Sequence, residues 1–164
     1  VVNQIPNIRV GQGIDFHRFI APGDFVVLGG VKIPHHHRLE GHSDADVLLH
    51  AIMDAILGAA GLADIGSYFP NTDEQFRGIS SLKLLEKVLE IVNQKGFKVG
   101  NCDCTILAES PKVNPFREKI IESISNALGI SNDRVSIKAT TTESMGAIGR
   151  SEGMMATAVV LLYT

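Results

Sequence analysis

The sequence predicts a layered α/β or α+β fold, and three observations carry that prediction. Strand-like runs recur along the chain. Amphipathic helical stretches fall between them. Glycine, proline or a capping residue marks most of the boundaries. Strands alternating with helices also call for at least one parallel crossover. The chain has 164 residues, 45% of them apolar and 20% charged, which suits one domain, 1–164, with a substantial core.

Each element has its own signal. Residues 7–16 and 25–33 read as short strands, with Gly29-Gly30 and Pro34 marking turns. Ser43 reads as a helix N-cap with Asp46, three positions on, as its capping-box partner. That helix runs to about Gly61. SLKLLEKVLEIVNQKG is a second helix, striped by Leu82, Leu85, Val88, Leu89 and Val92 and stopped by Gly96. FKVGNCDCTILA reads as a strand. Asn114-Pro115 opens a third helix, with Phe116, Ile120, Ile124 and Leu128 on one face and Gly129 beyond. RVSIKATT alternates as a strand. EGMMATAVVLLY is an apolar final strand, expected to be buried on both faces.

Composition excludes some functions. A net charge of −3 offers no basic field for nucleic acid or an anionic membrane, so any anion must be handled locally. The oily runs contain Asp54 or are too short to span a bilayer, and no signal peptide is evident. Cys102 and Cys104 lie two apart on one strand face, too close for an easy disulfide. They read as a reduced pair packed inside a cytoplasmic protein.

Two polar knots interrupt the apolar pattern. In GHSDADVLLH, 41–50, and the oily run after it, Asp46, His50 and Asp54 are four apart and line one helix face. Buried charges must be paired or metal-bound. A purely structural use would have Asp46 close the cap, His50 bond to it and Asp54 meet an arginine. In GQGIDFHRF, 11–19, Asp15 and His17 point to the same face of a strand, and the glycines at 11 and 13 permit close backbone approach. With His50 they make two imidazoles and one carboxylate, a set that leaves an open position on zinc. His42 precedes the cap, where it can meet an anion held by free helix N-terminal amides. His35-His36-His37 reads as a solvated loop, because three successive histidines in an extended chain cannot all face one point. KATTTE, 138–143, offers a lysine, three hydroxyls and a carboxylate, which suit phosphate oxygens with magnesium at Glu143. AESPKVNP, 108–115, leaves a strand through a proline loop bearing Lys112.

Taken in order, GQGIDFH, GHSDADVLLHA, DIGSYFPNTD, AESPKVNP and KATTTESMGAIGRSEG closely resemble the 2-C-methyl-D-erythritol 2,4-cyclodiphosphate synthase family of the non-mevalonate isoprenoid pathway. The resemblance spans nearly the whole chain. It implies a homotrimer with a four-stranded mixed sheet per subunit facing the threefold axis, helices on the other face, and active sites between subunits. It also implies a phosphorus–oxygen lyase acting on 4-diphosphocytidyl-2-C-methyl-D-erythritol 2-phosphate. The 2-phosphate attacks the β-phosphorus, CMP leaves, and the cyclic diphosphate forms.

The roles of individual residues follow from the same resemblance. Asp15, His17 and His50 would bind one zinc per subunit, and Glu143 would hold magnesium or manganese with the substrate. His42 and Thr141 would be catalytic. Ser43, Asp64, Ile65 and Gly66, followed by Phe69, Pro70, Asn71, Thr72 and Asp73, would hold the attacking phosphate and the methylerythritol part. Ala108, Glu109, Ser110, Pro111, Lys112, Val113 and Asn114, with Ala139, Thr140 and Thr142, would bind cytidine diphosphate from the neighbouring subunit. Arg150 would line an axial cavity that holds an isoprenoid diphosphate in the family. Two positions depart from the family pattern: Asn71 replaces an aspartate, and Ala147 replaces an aromatic residue of that cavity. The resemblance places the protein in the cytoplasm, or in the stroma of a plastid-bearing organism. A metal-dependent phosphohydrolase and a non-catalytic metal-binding oligomer are the competing uses of the same residues.

Overall fold

The computed structural model describes residues 7–70 and 72–164. Strand β1 (Ile8–Ile20) is followed by the hairpin β2 (Phe25–Leu28) and β3 (Val31–Pro34), then the two-residue β4 (Arg38–Leu39). Helices α1 (Val47–Ala59), α2 (Ile65–Tyr68) and α3 (Ser81–Gln94) lead to β5 (Lys98–Leu107). The chain closes with α4 (Arg117–Leu128), β6 (Val135–Thr140), α5 (Gly146–Gly149) and β7 (Gly153–Tyr163). The main sheet has five strands in the order β4-β1-β7-β5-β6, with β5 and β6 parallel and the other pairs antiparallel. The expected four strands are β1, β7, β5 and β6. The fifth arises because the chain leaving the hairpin doubles back on the end of β1, pairing Leu39 with Phe19.

Helix α1 is the hub of the core. Eleven of its 13 residues are buried, as befits a helix apolar nearly all round. One side packs on β1, β7 and β5, the other on α3. β1 meets it almost backbone to backbone: a Cβ placed on Gly13 would lie 1.9 Å from the Ala51 carbonyl oxygen. The cap is not Ser43. Asp46 is the N-cap, its carboxylate accepting the Leu49 N–H at 3.0 Å. The same carboxylate accepts the N–H groups of Gly29 and Gly30, at 3.0 and 2.7 Å, in the tight turn between β2 and β3. Ala45, at φ 55°, turns the chain so that the helix starts late.

Other boundaries also move. β1 runs four residues past the expected 16, because its pairing with β7 continues to Arg18 and β4 takes over from there. The stripe of α3 also includes Leu84, which is buried, while Leu82 and Leu89 are half-buried. A single 3₁₀ turn at Asn114–Phe116 precedes α4, which begins at Arg117 and ends at Gly129 (φ 67°). β7 is not buried on both faces. Its inner residues Met154, Ala156, Ala158, Val160 and Leu162 are fully buried, but Val159 on the outer face is 43% exposed. The pleat sends alternate residues of β7 to the face away from the helices. Val10, Ile14 and Phe16 of β1 are exposed as well. Among the described residues no helix is long and apolar enough to cross a membrane.

Candidate active site

β1 and β5 each run antiparallel to β7, so β1, β5 and β6 point the same way. The carboxyl ends of these strands carry the polar side chains, the usual place for a site in an open sheet with helices on its face. At the end of β1, Asp15 and His17 share a face as the strand period requires. His50, one turn into α1, reaches them from the core. Asp15 Oδ2 lies 2.9 Å from His17 Nε2 and 3.0 Å from His50 Nδ1, and the two nitrogens are 3.1 Å apart. His17 donates its Nδ1–H to the Glu40 carbonyl at 2.5 Å, which turns the Nε2 lone pair toward the cluster.

Three groups converging this closely can share protons or hold a cation between them. A tetrahedral zinc with ligands at about 2.0–2.1 Å sets neighbouring ligand atoms roughly 3.3–3.4 Å apart. The observed triangle fits that ion with a small outward adjustment. Without a metal the three groups shift the titrations of Asp15 and His17. Burial pushes the Asp15 carboxyl up, but hydrogen bonds and charge from His17 and His50 outweigh it and hold it at about 2. Burial pulls His17 down, but the Asp15 carboxylate and the Glu40 carbonyl together raise it above the ordinary histidine value.

A cavity of about 210 Å³ opens beside the triangle, lined by His17, His42, Ser43, His50, Ile65, Gly66 and Phe69, with Phe76 and Leu84 behind. Its Phe69 and Phe76 rings meet edge to face, 5.4 Å apart. His42 is exposed at its mouth. At the end of α1 the buried Asp46 carboxylate takes the Leu49 N–H. Burial pushes the Asp46 carboxyl up to about 6, against the lowering effect of the three N–H groups it accepts. Ser43 Oγ lies 3.2 Å from His50 Nε2. Asp54 meets no arginine; it accepts the Ile65 N–H at 2.8 Å and so ties the cavity wall to α1. Asp64 caps α2 through Ser67, and Asp73 caps a 3₁₀ turn through the Gln75 N–H. Pro70, Thr72 and Asp73 do not line the cavity. Asn71 lies outside the described residues.

A second cavity of about 160 Å³ lies at the ends of β5 and β6. Its walls include Ala108, Glu109, Pro111, Lys112, Val113 and Asn114 on one side and Ala139, Thr140 and Thr141 on the other. The two cavities share no residue. Glu109 serves the wall more than the space: its carboxylate accepts the N–H and hydroxyl of Thr142 at 3.0 and 3.2 Å and the Ser144 N–H at 3.3 Å. The Thr141 hydroxyl donates to Glu143 Oε1 at 3.0 Å. Arg150 lies outside both cavities in an exposed ion pair with Glu152, and Ala147 is exposed on α5.

The histidine run departs from its expected geometry. Bends in the loop bring ligand atoms of His35, His36 and His37 within 4.8 Å of one another. Both ring nitrogens of His35 are engaged, Nδ1 with the backbone of His37 and Nε2 with Ser110 Oγ at 3.2 Å. Sequence reasoning also missed Asp44 and Ser81. They join the site only through the approach of α3 to α1, which no local pattern announces.

A mixed sheet carrying two imidazoles and a carboxylate aimed at one point, beside a small apolar-walled cavity, defines an α+β domain with a candidate metal-binding site. Within that class the chain belongs to the YgbB family, whose model matches residues 8–163. It is similar to the 2-C-methyl-D-erythritol 2,4-cyclodiphosphate synthase of Pseudomonas aeruginosa (strain UCBPP-PA14), at 55% identity over 155 residues covering 94% of this chain and 98% of that one. It is similar in structure to the bifunctional IspDF of Campylobacter jejuni, with a TM-score of 0.91 and 42% identity over 95% of this chain and 42% of that longer one. IspF of Plasmodium falciparum, solved as a CDP complex, gives a TM-score of 0.84 and 34% identity over 98% of each chain.

Proposed function

We propose that the protein is a phosphorus–oxygen lyase of isoprenoid precursor biosynthesis that cyclises 4-diphosphocytidyl-2-C-methyl-D-erythritol 2-phosphate. An oxygen of the 2-phosphate attacks the β-phosphorus of the diphosphate. The bond from that phosphorus to the bridging oxygen breaks, CMP leaves with the electron pair, and the 2,4-cyclodiphosphate forms. The observation that carries this reading is the convergence of Asp15, His17 and His50 beside the cavity bounded by His42, Ser43, Ile65 and Gly66. Membership of the family and the name of the Pseudomonas relative supply the reaction.

The reaction brings several negative charges together, so positioning and charge neutralisation do most of the work. Asp15, His17 and His50 hold one zinc, which when bound neutralises and polarises phosphoryl oxygens. His42 and Ser43 meet the attacking phosphate at the cavity mouth, and Asp64, Ile65, Gly66 and Phe69 border the methylerythritol part. Residues 108–114 with Ala139 and Thr140 receive the cytidine diphosphate, the ligand present in the Plasmodium falciparum structure. Thr141 donates to charge developing on the transferred phosphoryl group, and Glu143 holds magnesium or manganese bound with the substrate.

The working unit is a homotrimer. Two facts support it: the cavities share no residue within one chain, and the outer sheet face is apolar at Val10, Ile14, Phe16 and Val159. The free thiols Cys102 and Cys104, buried 3.3 Å apart, suit a cytoplasmic or stromal setting. The test is incubation with the cytidine diphosphate substrate and magnesium, followed by phosphorus NMR. Cyclic diphosphate and CMP are expected. Free inorganic phosphate would instead make the protein a phosphohydrolase.

A further inference from the structure

His50 makes contacts on both sides of its ring. Nδ1 faces Asp15 and His17, while Nε2 faces the hydroxyl of Ser81 at 3.0 Å and that of Ser43 at 3.2 Å. Ser81 is fully buried in the first turn of α3. Its Oγ lies 2.5 Å from Asp44 Oδ1, and its backbone N–H donates to Asp44 Oδ2 at 3.0 Å. Without a metal, Asp15 can accept a proton from Nδ1; with Nδ1 given to a metal, the Ser81–Asp44 pair offers the matching order of protons on the other side of the ring. An ionised carboxylate only accepts, so the Ser81 hydroxyl proton goes to Asp44. The serine oxygen is then left with lone pairs for His50, and it can accept an Nε2–H. The tautomer that satisfies this has a bare Nδ1, the form a metal ligand requires.

We propose that Ser81, held by Asp44, is a positioning residue that fixes the ring orientation and tautomer of His50 for metal binding, although neither residue touches the metal. The inference rests on Asp15, His17 and His50 being a metal centre, and it adds the support behind that centre. The alternative role for Asp44 is purely structural. Ser80, the N-cap of α3, makes no side-chain bond, and Asp44 takes the Ser81 N–H in its place. That role needs no hydroxyl at position 81, so the two separate cleanly by experiment.

Zinc affinity of the metal-free protein would be measured by competition with a chromophoric chelator. The parent is compared with Ser81→Ala, Ser81→Cys and Val88→Ala. Ser81→Cys keeps the side-chain shape but is a poor acceptor. Val88→Ala cuts a cavity under the same helix, at a fully buried position, and removes no hydroxyl. Both Ser81 variants are expected to weaken zinc binding by roughly 10–100-fold, the usual effect of losing a partner behind a ligand. Val88→Ala is expected to lower the melting temperature and leave zinc affinity within about threefold. In the zinc-loaded parent the His50 Nε2–H proton should be visible by NMR in water, and in Ser81→Ala it should broaden through exchange. Parent-like zinc affinity in both Ser81 variants would overturn the proposal. So would an equal loss in Val88→Ala, which would make the effect one of helix packing. A parent that binds no zinc would instead overturn the metal centre itself.

Discussion

Replacing Gly13 with alanine should disable the proposed metal centre without touching any of the residues assigned to it. The new Cβ would lie 1.9 Å from the Ala51 carbonyl oxygen and 2.8 Å from the Ala55 nitrogen. A carbon–oxygen contact needs about 3.3 Å, so β1 and α1 must separate by about 1.4 Å at this point. Both atoms are backbone, so no rotamer change relieves the clash. Overpacking of this kind costs about 1–3 kcal/mol, and rigid neighbours put it at the upper end. For a chain of this size that lowers the melting temperature by roughly 6–12 °C. Asp15 is two residues from Gly13 on the strand, and His50 adjoins Ala51 on the helix. The separation therefore falls on the 3.0 Å gap between Asp15 and His50. Metal sites tolerate about 0.2 Å in ligand distance, so zinc affinity should drop on the order of 100-fold. Gly58→Ala is the control, since its nearest neighbour is 4.0 Å away and the change favours the helix. Differential scanning calorimetry and zinc titration read both effects. Parent-like stability and affinity in Gly13→Ala would refute the idea that backbone contact between strand and helix aligns the ligands.

Thr141→Val should keep zinc and cut turnover by about 10²–10³, the cost of one well-placed donor; turnover within a few-fold of the parent would make Thr141 strand filler. With the proposed trimer and its shared sites, mixing His50→Ala subunits with Thr141→Val subunits should restore part of the activity, because one interface receives an intact half from each parent. Asp46→Ala should cost about 2–4 kcal/mol in denaturant unfolding, since three backbone N–H groups lose their acceptor. The pH trends of metal binding and of metal-free stability should oppose each other. His17 is raised above its ordinary 6.5, so its contribution to the metal-free fold is complete below 6.5 and is lost as pH rises through the raised value. Asp15, lowered from 3.8 to about 2, contributes above 3.8 and loses that contribution as pH falls toward 2. Zinc competes with the His17 proton, so its affinity should climb with pH where that stability fades. Melting curves and zinc titrations across pH 5–9 check both slopes.

Much of this was legible in the sequence because periodicity reports directly on faces. Asp15 and His17 two apart on a strand, and His50 on a helix whose remaining residues are oily, were enough to nominate the ligand set. The helical stripes of α3 and α4 read almost correctly for the same reason. What failed to read were features that depend on distant chain. Asp46 caps α1 because the Gly29-Gly30 turn packs against it, so a serine three positions earlier was the wrong inference. The bends that gather His35, His36 and His37 come from the loop's fit over Phe19, whose ring lies 4.8 Å from that of His35. Ser81 meets His50 across the α1–α3 contact, and Asp44, just before α1, meets Ser81. Of the residues implied by the family for the substrate, His42, Ser43, Ile65, Gly66 and Phe69 line one cavity, and Ala108, Glu109, Pro111 to Asn114 and Ala139 to Thr141 line the other, a division set by strand order rather than sequence spacing.

The pairing of β1 with β7 has a consequence for the route by which the chain folds. Ile8 faces Tyr163 and Arg18 faces Gly153, so the central ladder joins residues at opposite extremes of the described chain. Closing so long a loop is entropically unfavourable before any contact rewards it, and topologies dominated by such contacts fold slowly. The α1–α3 pair and the β2–β3 hairpin are local and can form first. β1 must then wait for β7, with Val10, Ile14 and Phe16 free to find other chains in the interval. His50 can be seated in its helix during that wait, but Asp15 and His17 gain a rigid frame only when the ladder closes. Completion of the ligand triangle therefore marks the final stage of folding, and the rate at which refolding chains acquire tight zinc binding should follow closure of this ladder rather than the earlier rise in helicity.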